Sequence, residues 1–221
     1  MRYVRACFFL LLALNINAAQ RISPLALFEF DKALTYHNAN DYTAAINHYL
    51  KAIALDGTLV SAVVNLAIVY EKVYDSQNAR YYYNEAVRIA PYSFSTRYNR
   101  GQFFQKQGKL KAARADYLVA LQSRTDDASL YINLAALTLT IFEKENDATL
   151  LKDAEKKLKH AERLESNSPA LYFNKARLLE LKNSPSLARR YYAEAMRRYP
   201  LDSLEYKTSA MQCERLSQRL K

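Results

Sequence analysis

Along most of the chain, apolar residues return every three or four positions. That spacing draws one face of an α-helix and does not fit the alternation of a strand. One unit recurs: an alanine, a tyrosine four residues later and a second alanine three after that. It stands at Ala45/Tyr49/Ala52, Ala79/Tyr83/Ala86, Ala113/Tyr117/Ala120 and Ala188/Tyr192/Ala195, and with leucine in the middle at Ala154/Leu158/Ala161. The first alanines are 34, 34, 41 and 34 residues apart. Another small residue leads each unit by 12 residues at Ala33, Ala67, Gly101 and Ala176, and by 19 at Ala135. Small side chains at helical spacing let two antiparallel helices cross closely, while the larger residue between them fills the groove to the next pair.

The breaks in the pattern agree. Pro91 and Pro200 fall five residues after the last alanine of a unit, where a helix should stop, and Gly57 holds the same place in the first unit. Gly108 and Pro185 fall where two helices of a unit should turn, and Asp126, Asp127 or Ser129 can cap the helix that follows. These signals predict an all-α chain of about five helix–turn–helix repeats at residues 26–59, 60–93, 94–127, 128–168 and 169–202. Residues 203–221 read as a last amphipathic helix with Tyr206, Ala210, Cys213, Leu216 and Leu220 on its apolar stripe, capping the open end. The fourth repeat holds seven extra residues around Thr138 to Leu151, as two turns of helix or as a loop through Glu143 to Asp147.

The first residues depart from this scheme. Arg2 and Arg5 precede the apolar run Cys7 to Leu14, and small residues follow at Ala18 and Ala19. This is the pattern of an export signal over residues 1–19, cleaved after Ala18 or Ala19 or retained as an anchor. The run is shorter than the roughly 20 residues of a spanning helix. Export would place the protein in a bacterial periplasm, with secretion or N-terminal anchoring as alternatives. Cleavage leaves Cys213 as the one cysteine, so no internal disulfide can form; it is either a buried structural thiol or an intermolecular one.

Chemistry adds little. The 221 residues include only 3 Gly, too few for a phosphate-cradling loop, and the histidines His37, His48 and His160 lie at no metal-ligand spacing. No enzyme, metal or cofactor is expected. The net charge of +10 loses two with Arg2 and Arg5. Basic clusters stand at Arg189/Arg190, Arg197/Arg198 and Lys156/Lys157 with Lys159. They are either a solvated charged face or a docking surface for anionic membrane, cell-wall polymer or an acidic protein, with no nucleic acid expected.

The recurring positions resemble the tetratricopeptide repeat family, most closely at Asn65-Leu66-Ala67, Tyr70, Ala79/Tyr83/Ala86 and Pro91. The resemblance runs over residues 26–202 and implies a right-handed superhelical α-solenoid. It also implies a concave groove lined by the first helix of each repeat, where a protein or peptide segment binds. Counting from the small residue, it places Phe30, Val64, Tyr98, Ile132 and Phe173 three before it. Two before stand Asp31, Asn65, Asn99, Asn133 and Asn174; one after stand Leu34, Ile68, Gln102, Ala136 and Arg177. The amide row either binds an extended backbone or serves inter-helix structure. The lysines and arginine with which some members clamp a terminal carboxylate have no counterpart at the matching positions Phe30, Leu34, Asn65, Ser95 and Asn99. The function implied is an exported, non-enzymatic interaction scaffold in envelope or secretion assembly, the alternative being a module on a membrane or cell-wall surface.

Overall fold

The computed structural model describes residues 23–165 and 167–220; the signal assigned to residues 1–19 lies outside them. Among the described residues there are eleven α-helices and no strand. The helices divide between two compact units, with the boundary after Pro91.

The first unit contains α1 (Pro24–Asn38), α2 (Tyr42–Leu55), α3 (Val60–Lys72) and α4 (Ser76–Ile89). Its small residues Ala33, Ala45, Ala52, Ala67, Ala79 and Ala86 are all fully buried, as the close helix crossing requires. Tyr49 joins the core of α1, α2 and α3, against Phe30, Leu34 and Leu66.

The second unit contains α5 (Phe94–Lys106), α6 (Leu110–Ser123), α7 (Ala128–Glu145), α8 (Ala148–Leu164), α9 (Pro169–Leu181), α10 (Pro185–Met196) and α11 (Leu204–Arg219). A Cβ on Gly101 would stand 2.6 Å from the ring of Tyr117, so α5 and α6 cross too closely there even for alanine. Asp116 on α6 is buried and held by Arg97 Nη1 at 2.8 Å and by Arg100 Nε and Nη2, each at 2.7 Å. These charge-assisted bonds offset its loss of water. On α11, Leu216 is buried, whereas Leu220 of the predicted stripe lies just past the helix end and is exposed.

Each hairpin turns through one residue with positive φ: Asn40, Tyr74, Gly108, Asn146 and Asn183. Glycine and asparagine tolerate this left-handed region best, so Tyr74 is the exception. The next residue is the N-cap of the second helix, and Asp41, Asp75 and Asp147 each accept a backbone N–H there.

These turns locate the extra residues of the fourth repeat. Small residue to turn is seven residues in the other hairpins but eleven from Ala135 to Asn146, and turn to alanine is five but eight from Asn146 to Ala154. Four residues lengthen α7 and three lengthen α8. The insertion is therefore helix on both sides of a tight turn, and the loop alternative is not adopted.

Candidate functional site

The tyrosine of the repeated unit does more than fill space. Its hydroxyl reaches a polar side chain four residues after the small residue of its own hairpin. Tyr49 OH lies 3.3 Å from His37 Nδ1; Tyr83 donates to Glu71 at 3.1 Å, Tyr117 to Gln105 at 2.9 Å and Tyr192 to Glu180 at 3.3 Å. Burial pushes the Tyr49 hydroxyl up to about 12, partly opposed by a hydrogen bond from Asn65. Burial likewise pushes up Tyr83, Tyr117 and Tyr192. Those polar partners follow a fixed offset that the sequence already contained.

The row three before the small residue belongs to the core edge. Phe30, Tyr98 and Phe173 pack their rings on Tyr49, Tyr117 and Tyr192, with centroids 5.9, 5.6 and 5.4 Å apart. Val64 and Ile132 are buried, at 5% and 4% exposure. Their placement as groove-lining residues is thus corrected: three residues back is about 60° around a helix from the buried small residue, so the side chain turns inward.

In the first unit this leaves Asp31 exposed and Leu34, Asn65 and Ile68 half-buried on α1 and α3. In the second unit, Asn133 donates to the Tyr98 hydroxyl at 3.4 Å, and Asn99 bonds back to the Ser95 carbonyl of its own helix at 2.8 Å. Gln102 is half-buried. Asn174, offered as a groove amide, is buried at 5% exposure; its Nδ2 donates to the Ala170 carbonyl, while its Oδ1 has no protein partner. Arg177 spans to α7, donating to Glu143 at 2.9 Å and Thr140 at 3.2 Å.

Phe173 and Arg177 do come together in a hollow of about 330 Å³ bounded by α7, α9, α10 and α11. Phe173 and Tyr192 give it an aromatic floor. The pairs Arg177–Glu143 and Arg215–Glu180 edge it, with Gln212 beside them. Balanced charge over aromatic rings suits a neutral or mixed-charge peptide segment. Glu143, Glu180, Gln212 and Arg215 were not read from the sequence. Glu180 could have been found as the tyrosine partner, and Gln212 and Arg215 lie on the closing helix, for which the repeat supplies no register.

The basic candidates separate. Arg197 and Arg198 share Glu194, both at 2.6 Å, and the Arg198 guanidinium also lies 4.1 Å from the Tyr172 ring centroid. Arg189, Arg190 and Lys156 are exposed. Lys157 is not a surface cation: it is 7% exposed and bonded to Asp153, which also pairs with Arg114 at 2.7 Å. Burial lowers the Lys157 ammonium, with Asp153 opposing. Burial raises the Asp153 carboxyl, but bonds from Lys157 and Arg114 outweigh that and hold it low.

His48 lies 2.6 Å from Glu29 and stacks on Tyr36. Cys213 is a half-buried free thiol pushed up by burial. Among the described residues, no group of three His, Cys, Asp or Glu side chains could hold a metal ion, and no helix is long and apolar enough to cross a membrane.

Residues 30–94 match the sequence profile described as Tetratricopeptide repeat. Residues 30–94 therefore carry tetratricopeptide repeat sequence. No curated protein matches it in sequence. Its fold is similar to that of a tetratricopeptide repeat protein from Parabacteroides merdae, at 14% identity and a TM-score of 0.75, covering 88% of this chain and 75% of that one. It also resembles YrrB, a tetratricopeptide protein whose structure shows an unusual peptide-binding site, at 16% identity and 0.67, covering 83% and 90%. Pseudomonas aeruginosa pilF follows at 18% and 0.66, covering 89% and 90%. At these identities the likeness is one of fold: an all-α array of tetratricopeptide hairpins, an architecture that suggests a protein–protein interaction scaffold.

Proposed function

We propose that the protein is an exported, non-catalytic scaffold that holds a segment of a partner protein against the first helices of its repeats, in bacterial envelope or secretion assembly. The observation that carries this reading is the hollow over Phe173 and Tyr192, where an aromatic floor and two opposed ion pairs offer contacts to a peptide. The peptide-binding site named for YrrB supports it by analogy of fold. Export rests on the signal pattern of residues 1–19, and N-terminal sequencing of the native protein should begin at Ala19 or Gln20.

A photo-crosslinker at Gln212 should capture a specific native protein that the same group at Tyr81, exposed on the second-helix side of the first unit, does not. Gln212→Trp, made in the chain without the crosslinker and filling the hollow, should weaken binding of the captured protein about tenfold with an unchanged melting curve. Undiminished binding by Gln212→Trp would remove the hollow from the binding site.

A further inference from the structure

Helix α8 carries Lys152, Lys156, Lys159 and Arg163 at steps of four, three and four residues, a single line about 16 Å long on one face. All four are exposed, and with Glu155 and His160 they border a hollow of about 370 Å³. Of the acids of the helix only Glu155 borders the hollow, and each acid is held by a cation. Asp153 is held by Arg114 and Lys157, Glu162 by Lys175, and Glu155 by Lys182 as well as Lys159. Lys152, Lys156 and Arg163 therefore form no ion pair among the described residues.

Like charges three and four residues apart repel and weaken the helix that bears them. Elsewhere on α8, lysine and acid are matched across helices, whereas three of the four cations in this line have no carboxylate paired with them among the described residues. Such a line concentrates negative charge in front of it.

We propose that the α8 ridge is a second docking site, independent of the first-helix faces, for an acidic protein segment whose carboxylates repeat at three- and four-residue steps. The hollow accepts a protruding chain, and charge complementarity sets the register. A bilayer fits less well: interfacial helices interpose apolar side chains among their cations, and among the described residues the only large apolar residue exposed beside this line is Leu164 at its end.

The test is fluorescence anisotropy of the full chain with a labelled helical peptide bearing glutamates at those steps, alongside its glutamine counterpart. The glutamate peptide should bind and the glutamine peptide should not. Affinity should fall about tenfold or more in Lys152→Glu/Lys156→Glu/Arg163→Glu and also in the milder Lys152→Gln/Lys156→Gln/Arg163→Gln. Arg189→Glu/Arg190→Glu should leave it unchanged. No binding by the wild type, or equal loss in the Arg189/Arg190 variant, overturns the proposal. Ridge-dependent binding to phosphatidylglycerol vesicles without peptide binding also overturns it, in favour of a membrane.

Discussion

In the α5–α6 hairpin the Tyr117 hydroxyl reaches Gln105, three residues before the turn at Gly108; in the α7–α8 hairpin the equivalent places hold Leu158 and Leu139. The other three hairpins follow the first pattern. In all four, the polar partner stands beside the turn, where water can complete its hydrogen bonds: Gln105 is exposed, and His37, Glu71 and Glu180 are half-buried. The longer helices of the fourth repeat carry the turn one helical turn away, and Leu139 becomes fully buried. A glutamate or glutamine there would lose its water, so an apolar pair is the stable choice. Charge enters this hairpin from its flanks instead, through Arg114–Asp153–Lys157 on one side and Lys182–Glu155 and Lys175–Glu162 on the other. Seven residues thus convert a polar tie within a hairpin into ionic ties between neighbours.

Alkali should separate the two kinds of hairpin most sharply. A tyrosine whose folded value lies above its unfolded one stabilises the fold below pH 10.0, and this stability is lost as pH rises through the folded value, about 12 for Tyr49. Tyr49 alone contributes about 3 kcal/mol by this route, and the three other buried tyrosines act in the same direction. Exposed tyrosines such as Tyr74 and Tyr81 ionise without unfolding; the phenolate absorbance that remains and the loss of helical circular dichroism should then rise together, with backbone amides around Leu139 and Leu158 the last to exchange. Ionisation of the buried tyrosines well ahead of unfolding would contradict it.

Asp153→Ala should cost about 2–3 kcal/mol in urea unfolding, because Lys157 is left buried without its carboxylate. Adding Lys157→Met should restore most of it. Exchanging the central residues is the mildest test. Leu158→Tyr should lose about 2 kcal/mol through overpacking and an unsatisfied hydroxyl, whereas Tyr117→Phe should lose about 1 kcal/mol. Equal losses would mean that the two hairpins differ in name only.

The repeated alanines and the phase of the helices were legible because each such position has one cause, close crossing of two helices. Turn conformation was less so. Gly108 was noticed, but Asn40, Asn146 and Asn183 were not, since asparagine is common outside the left-handed region, and Tyr74 contradicts local preference altogether. The binding face was read by counting along the helix, and that misplaced Val64, Ile132 and Asn174 because linear offset does not report how deeply a side chain turns inward. Lys157 reads as a surface cation in sequence because the half-buried pair Arg114–Asp153 that holds it comes from a distant helix and from its own.

The left-handed residue at every hairpin tip has an evolutionary consequence. Because each tip is closed by its own turn and followed at once by its own cap, the chain can be spliced there without reworking the packing beneath. Seven residues suit such a splice: four going out and three coming back are each close to one revolution, so both helices reach the new tip on nearly their former headings while the side chains below stay where they were. The hairpin tips are growth points, where length can be added to one repeat while its neighbours keep their grip.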